Sequence, residues 1–199
     1  LDNLELLEGD ILEMDLGEIF SRLRGGEDKS LPIKIVSNLP YSISGPFLIR
    51  LLTSSLDFKR AVVMLQREVG ERIVSPPGRK KYGILGCAAQ TFSVPEIIGP
   101  VSKNCFYPRP RVDSVIVRLD KKEPGMVPAE IRFWKTIVRA AFSTRRKMVK
   151  NALAGSREFD YSLDLIEEGF RRAGINSRLR AEDITPDGFL RLTRTFLEL

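Results

Sequence analysis

Asn38, Leu39, Pro40 and Tyr41 follow an apolar run that predicts a β-strand. The side-chain oxygen of Asn38 can accept one hydrogen bond. The carbonyl of Leu39 can accept another, because the residue before a proline is held extended and cannot give its carbonyl to a helix. Two such acceptors suit the amine of adenine: they bind its two hydrogens and localise its lone pair toward an incoming methyl group. Tyr41 offers a flat face for the base.

In isolation this tetrapeptide is equally typical of a turn between a strand and a helix. The composition removes several competing chemistries. The chain has no His, which excludes a Ser/His/Asp triad, a Cys/His dyad and a His-ligated zinc site. Methyl transfer from a sulfonium donor needs neither a covalent intermediate nor a strong base, so it remains compatible with the chain.

The two cysteines, Cys87 and Cys105, lack the spacing of a metal site. We expect both to be small buried hydrophobic residues in a reducing compartment, and we expect no metal. Charged residues interrupt every apolar run before the roughly 18 residues that cross a membrane. The sequence therefore predicts a cytoplasmic protein without a membrane partner.

The net charge of +6 is concentrated in one segment. Residues 100–150 contain 13 Lys and Arg against 4 Asp and Glu, whereas the flanking segments are nearly neutral. An excess of this kind suits a surface that binds a polyanion, because each neutralised phosphate releases counterions. A solvated basic helix accounts for the charge count equally well.

The elements that must position these residues alternate strand-like and helix-like segments, which predicts βα units and a mainly parallel sheet. Strands are predicted at Leu4–Leu7, Ile33–Ser37, Ala61–Leu65, Val94–Val101 and Ser114–Leu119, and helices at Leu16–Leu23, Gly45–Thr53, Gln66–Val74 and Tyr82–Phe92. A polar loop is expected at residues 25–30, and a turn-rich one at Lys103–Asp113. Asn38–Tyr41 then lies at the carboxyl end of a strand, where open α/β sheets bind ligands.

A change to charged residues, Pro and Gly around Lys121–Pro128 indicates a domain boundary. We expect an α/β domain over residues 1–124 and a small all-helical domain over residues 125–199. The stripe of apolar residues that recurs at helical spacing is interpreted as the core of the second domain. Its members are Trp134, Ile137, Val138, Ala141 and Phe142.

The Asn-Leu-Pro-Tyr stretch resembles the signature of the ribosomal RNA adenine dimethyltransferases, the KsgA family. Five further segments resemble that family's motifs in the same order. They are Gly9-Asp10 (the cofactor-adenine motif), Met64-Leu65-Gln66-Arg67-Glu68-Val69 (MLQ(K/R)EV), Tyr82-Gly83-x-Leu85 (YGxL), Phe106-x-Pro108-x-Pro110-Arg111-Val112-Asp113-Ser114 (FxPxPKVDS) and Arg145-Arg146-Lys147 (the RRK helix). Together these segments span nearly the whole chain.

The resemblance implies the fold and a role for each matching residue. The fold would be α/β: part of a class I, Rossmann-like S-adenosylmethionine methyltransferase sheet, followed by a helical RNA-recognition domain. Asp10, Ile11 and Asn38 would bind the cofactor. The catalytic group would comprise Asn38, Leu39, Pro40, Tyr41 and Phe106, with Phe106 and Tyr41 holding an extruded adenine between their rings. The RNA-binding group would comprise Arg109, Arg111, Arg145, Arg146, Lys147 and Lys150.

The implied reaction is dimethylation of two adjacent adenines in a hairpin loop of the small-subunit ribosomal RNA, which serves ribosome maturation. The Gly-rich cofactor loop of class I methyltransferases is not found, since Gly25 and Gly26 fall in a polar loop. The resemblance thus implies that the first strands are missing, that the chain is an inactive fragment with an incomplete cofactor site, and that an open strand edge invites self-association.

Three alternatives remain open. The fold can serve as an RNA-binding module for ribosome assembly, without catalysis. A DNA or protein amide methyltransferase is disfavoured by Leu39, where those enzymes carry a proline, and by the Phe106 loop. Dimethylation of a single adenine in the large subunit, as in the macrolide-resistance methylases, is the third.

Overall fold

The computed structural model describes residues 4–23 and 32–199. Its strands are β1 (Ile33–Asn38), β2 (Phe58–Gln66), β3 (Ser93–Val101) and β4 (Ser114–Lys121). Its helices are α1 (Leu16–Leu23), α2 (Ser44–Leu52), α3 (Arg67–Val74), α4 (Ile84–Phe92), α5 (Pro128–Phe142), α6 (Val149–Ala154), α7 (Leu163–Arg172) and α8 (Pro186–Leu197). The loop expected at residues 25–30 lies outside the described residues.

The four strands form one sheet in the order β1-β2-β4-β3. Only β1 and β2 pair in parallel; β2 with β4 and β3 with β4 are antiparallel. The prediction of a mainly parallel sheet is therefore wrong for the described strands. A parallel pair needs a long crossover, usually a helix. The loop between β3 and β4 contains only one short 3₁₀ turn, Lys103–Cys105, so the chain folds back on itself.

Leu4–Leu7 does not form the predicted strand. The segment has no regular secondary structure, and Leu4 and Leu6 are 70% and 89% exposed. A strand needs a hydrogen-bonded neighbour and a face to bury, and this segment has neither among the described residues. β1 lies at one edge of the described sheet, with Val36 exposed; self-association through this edge stays a prediction.

The starts of three of the C-terminal helices, α5, α7 and α8, have local causes in the sequence. Pro128 opens α5, where its missing N–H is not needed, and the side chain of Glu130 accepts a hydrogen bond of 2.7 Å from the Val127 amide. The hydroxyls of Ser162 and Thr185 cap α7 and α8 in the same way, since each accepts a bond from a first-turn amide. These signals explain why residues beyond 125 are helical.

Arg145, Arg146 and Lys147 lie in a turn between α5 and α6, so the prediction of a helix there is wrong. The Ser143 hydroxyl donates to the carbonyl of Ala140 over 2.7 Å, and the Lys147 amide donates to the carbonyl of Thr144. The Ser143 side chain thus takes a carbonyl at the end of α5, and the Lys147 amide closes a tight main-chain turn in place of continuing the helix.

One hydrophobic core runs from the sheet into the helices of residues 125–199. The ring centroids of Phe92 in α4 and Trp134 in α5 are 5.1 Å apart and nearly perpendicular. Tyr82 and Phe142 make a second edge-to-face contact at 6.0 Å. The helices therefore pack on the sheet layer through aromatic contacts, which hold the site's elements in place. The domain division at residue 124 stays a prediction.

Cys87 is fully buried in α4, but Cys105 is exposed in the β3–β4 loop, so the prediction that both are buried is wrong for Cys105. Burial raises the pKa of the Cys87 thiol to about 12.

These two environments predict different thiol reactivities. With its raised pKa, the Cys87 thiol stays protonated at pH 8, and the surrounding core shields it. Because the thiolate is the reactive form, Cys87 should not react in the native protein. We expect an aromatic disulfide reagent to titrate one thiol in the native chain and two in urea, and Cys105→Ser to remove the native reaction. Two fast thiols in the native protein would contradict the structure at Cys87.

Candidate active site

The residues predicted to be catalytic border one open cavity of about 300 Å³. It lies between the end of β1 and the β3–β4 loop, and we name it the base pocket. Its lining residues are Asn38, Leu39, Pro40, Tyr41, Phe106, Tyr107, Pro108 and Pro110. The structure thus brings together all five residues of the predicted catalytic group, although Phe106 follows Tyr41 by more than sixty residues.

Asn38 and Leu39 take opposite positions at the end of β1. Asn38 is the last residue of the strand, opposite Met64 of β2, and its side chain is exposed at the base pocket. Leu39 is only 3% exposed, so its side chain anchors the turn in the core. Within residues 4–23 and 32–199, no hydrogen bond reaches the Leu39 carbonyl. An amide oxygen and a main-chain oxygen are therefore available to a ligand.

Tyr41 is oriented by a residue for which the sequence indicates no role. Its hydroxyl shares a hydrogen bond of 2.9 Å with the hydroxyl of Ser114, the fully buried first residue of β4. The carbonyl of Tyr41 accepts a bond from the Ser44 hydroxyl over 3.1 Å. Both ends of the residue are fixed, so the ring is held at the pocket wall before any ligand arrives.

The Phe106 loop is fixed at its far end by Asp113. This carboxylate accepts a hydrogen bond of 3.0 Å from the Lys103 amide and pairs with the Arg67 guanidinium at 3.4 Å. The Arg67 amide also donates to the Asp113 carbonyl at 3.0 Å. The MLQ(K/R)EV-like and FxPxPKVDS-like segments thus contact each other, and together they support the loop that carries Phe106.

A second cavity, of about 460 Å³, adjoins the base pocket. Its walls are mostly apolar and include Ile11 and Phe20, while Asp10 places a carboxylate at its border. Leu39 and Pro40 border both cavities. Of the three residues predicted to bind the cofactor, Asp10 and Ile11 border this second cavity, whereas Asn38 borders the base pocket.

The loop at residues 9–14 is held by Arg50 of α2, which the sequence did not single out. Its guanidinium donates to the carbonyls of Ile11, Leu12 and Met14, with a length of 3.0 Å to Ile11. One oxygen of Asp10 accepts the Leu12 amide at 2.8 Å, which shapes the turn and leaves the other oxygen for a ligand. A lone arginine in a helix carries no sequence signal for this role.

The six predicted RNA-binding residues lie in two places. Arg109 and Arg111 are exposed on the Phe106 loop, and the other four lie in or just after the turn between α5 and α6. Arg145 donates to the carbonyls of Lys80 at 2.8 Å and Tyr82 at 3.3 Å. Lys150 is half-buried and pairs with Glu167.

Arg145 also borders a third, polar cavity of about 780 Å³. Tyr41 borders it as well, so this cavity continues from the base pocket along a wall that includes Arg72, Lys80 and Lys81. Of the cations around it, only Lys80 has an ammonium without a partner in the described part of the chain. Cationic groups therefore extend from the base pocket toward the α5–α6 turn.

Residues 4–23 and 32–199 contain neither a metal-binding cluster nor a membrane-spanning helix. No group of three or more His, Cys, Asp and Glu side chains there could hold a metal ion. None of the helices described is both long and apolar enough to cross a membrane.

The chain is similar to known proteins both in sequence and in fold. The family model described as ribosomal RNA adenine dimethylase matches residues 2–196. The ribosomal RNA small subunit methyltransferase A of Moorella thermoacetica is 39% identical over 196 residues, which are 98% of this chain and 67% of that protein. The protein of the same name from Lachnoclostridium phytofermentans is 36% identical over 193 residues, 96% and 65% of the two chains. The chain spans about two thirds of the length of these relatives.

Two solved structures share the fold at 21% identity. A dimethyladenosine transferase from Plasmodium falciparum superposes with a TM-score of 0.72 and covers 91% of this chain and 77% of its own. The 23S rRNA methyltransferase ErmE gives a TM-score of 0.56, with 86% and 68% covered. These likenesses confirm the predicted Rossmann-like α/β class. With the family match over almost its whole length, the chain belongs to the ribosomal RNA adenine dimethylase family.

Proposed function

We propose that this chain carries the base-binding and RNA-binding parts of an enzyme that dimethylates two adjacent adenines in a small-subunit ribosomal RNA hairpin loop during ribosome maturation in the cytoplasm. The observation that carries the proposal is the base pocket, where Asn38, the free Leu39 carbonyl, Tyr41 and Phe106 meet. The names of the curated relatives support the small subunit as the source of the RNA.

The pocket's chemistry follows from its acceptors. The Asn38 amide oxygen and the Leu39 carbonyl would accept the two amino hydrogens of adenine. This interaction strengthens as the nitrogen becomes tetrahedral and positive, so it stabilises the transition state more than the bound base. Tyr41 and Phe106 would stack on the two faces of the extruded ring and replace the stacking lost from the loop.

The apolar cavity beside the base pocket fits the adenine part of S-adenosylmethionine. Its flat apolar walls suit the ring, and the unused oxygen of Asp10 would accept a bond from the exocyclic amine, with Ile11 beside it. When bound, S-adenosylmethionine would supply the methyl group that is attached to its sulfonium sulfur. Leu39 and Pro40 would separate donor from acceptor, and Asn38 would line the passage between them.

We expect the 199-residue chain alone to bind S-adenosylmethionine weakly and to transfer no methyl group. Its sequence has no Gly-rich cofactor loop, and such a loop normally holds the polar part of a nucleotide cofactor. Isothermal titration calorimetry checks this: heat that fits a micromolar Kd would show that the described cavity suffices. The Asp10→Ala variant serves as the control for binding at the apolar cavity.

The RNA would run along the basic groups. Arg109, Arg111, Arg146 and Lys147 are exposed and have no ion-pair partner in the described residues, so they are available to phosphates. Arg145 and Lys150 are engaged with protein atoms and would mainly position this surface.

The test is methyl transfer by a chimera in which the strands that the resemblance places upstream are supplied by the Moorella thermoacetica relative. The substrates are unmodified small and large ribosomal subunits, and the modified nucleotides are mapped. We expect two dimethylated adenines in the small subunit. Transfer to one adenine of the large subunit would indicate the resistance-methylase alternative instead. Tight binding to small subunits without any methyl transfer would indicate the second candidate function, an RNA-binding module for ribosome assembly. For the 199-residue chain by itself, the lack of a Gly-rich loop in its sequence favours this second candidate.

A further inference from the structure

Tyr107 is the most exposed of the large hydrophobic residues in the described part of the protein, at 102% of its reference area. The chain has 11 Phe, 4 Tyr and 1 Trp. All of these are described, and every one except Tyr107 is buried or half-buried. The Tyr107 hydroxyl makes no hydrogen bond to any described residue. The ring therefore contributes nothing visible to the fold, and its apolar faces are in water.

The ring stands at the mouth of the base pocket. Tyr107 borders that cavity next to Phe106, whose backbone is extended with φ −119° and ψ 147°. In an extended chain, successive side chains point to opposite sides. Phe106 is half-buried and Tyr107 fully exposed, as this alternation requires. The loop thus presents one ring inward and one outward.

The loop that carries Tyr107 is braced on both sides. Before it, the Asn104 amide donates to the Ser102 hydroxyl at 3.2 Å, which closes the 3₁₀ turn. After it, Asp113 holds the Lys103 amide and the Arg67 guanidinium. Pro108 and Pro110 remove further backbone freedom. An exposed ring on a stiff loop loses little entropy when it binds a ligand.

The surroundings of the ring are cationic. Arg109 and Arg111 follow it at two-residue spacing, and both are exposed without an ion-pair partner in the described ranges. An aromatic platform beside free guanidinium groups is the combination that binds single-stranded nucleic acid, with the base on the ring and phosphates on the cations. Apart from Val112, the large side chains exposed beside Tyr107 on this loop are prolines and arginines, so the loop offers little apolar area to a folded protein partner.

We propose that Tyr107 is a positioning residue that stacks on the unpaired base next to the target adenine, while Phe106 binds the target itself. This inference rests on the proposed function, since it takes the base pocket as the target site. Stacking accepts any base, so Tyr107 would hold the neighbouring nucleotide outside the pocket without reading its identity.

The experiment uses the 199-residue chain and an RNA hairpin whose loop contains two adjacent adenines. The fluorescent base 2-aminopurine, whose emission is quenched by stacking, replaces the neighbour of the target adenine; the target stays adenine, because Asn38 and Leu39 are proposed to bind its C6 amine. We expect Tyr107→Ala to raise the emission of the neighbour in the complex and to weaken binding about 10-fold, while Tyr107→Phe stays within about twofold of the parent. Phe106→Ala should weaken binding without raising the emission of the neighbour.

Salt dependence separates stacking from charge. Tyr107→Ala should leave the slope of log K against log salt unchanged, whereas Arg109→Ala should reduce it by about one. Unchanged emission and affinity for Tyr107→Ala, with a response to Phe106→Ala, would overturn the role of Tyr107 and leave the proposed function standing. If Tyr107→Ala weakened binding only to whole small subunits, the inference would also fail, because the ring would then contact another part of the subunit. If neither variant had any effect, the base pocket would not be the target site and both proposals would fall.

Discussion

Asn38→Ala is expected to lower kcat for adenine methylation by about 100- to 1000-fold, with little change in KM. The size follows from the loss of one preorganised partner for the charge that develops in the transition state. Asn38 is exposed at the pocket, so its removal leaves the packing of β1 intact. The ground-state base keeps its contacts with Tyr41 and Phe106, which is why the loss falls on kcat.

The measurement is steady-state methyl transfer to unmodified small subunits by the chimera described above. Lys34→Ala is the matched control, because Lys34 is exposed on the same strand and borders none of the three cavities. Equal kcat values for Asn38→Ala and the parent would refute the acceptor mechanism. A raised KM at constant kcat would place Asn38 in binding alone.

Trp134→Ala is expected to cost the isolated chain about 3–5 kcal/mol in the free energy of unfolding. Trp134 is 1% exposed and packs edge-on against Phe92, so its removal opens a cavity where α5 meets α4. Single domains are stable by only about 5–15 kcal/mol, so such a loss is a large part of the total. Urea denaturation followed by circular dichroism measures it.

Trp134→Phe is the control for this effect. It keeps an aromatic ring against Phe92 and removes the indole Nε1, which is buried without an acceptor in the described residues. We expect it to cost about 1.5 kcal/mol or less. If Trp134→Ala unfolded at the same urea concentration as the parent, the continuous core between the sheet and the helices would be contradicted.

Local patterns predicted most of the helices and strands and the Asn38–Tyr41 side of the base pocket, the family resemblance added Phe106, and both failed where long-range contacts decide. β1, α2 and α4 follow from apolar periodicity and from Pro and Gly signals, within two residues of the observed bounds. Leu4–Leu7 shows a similar local pattern but pairs with none of the four described strands, and a local pattern cannot show whether a pairing partner is present.

The same limit applies to the site. Asn38–Tyr41 and Phe106 were recognised as motifs, yet the bond from Tyr41 to Ser114 joins residues 73 positions apart. Arg50 reaches the 9–14 loop across 36 to 39 positions. These hydrogen bonds depend on how α2 and β4 pack against the loops. The sequence alone cannot show them, because a single hydroxyl or guanidinium has many possible partners along the chain. The roles of the individual site residues stay predictions.

The dipeptide Leu39-Pro40 borders both the base pocket and the apolar cavity, so the sizes of its two side chains affect the shape of both cavities. A bulkier side chain at either position would narrow both the base pocket and the apolar cavity. A smaller side chain would widen the opening between the two cavities. Under the proposed function, a substitution at Leu39 or Pro40 would therefore change the affinity for the adenine base and for the methyl donor together. Substitutions that change only one of these affinities should instead lie on the outer walls, at Ile11 and Phe20 on the donor side and at Pro108 and Pro110 on the base side.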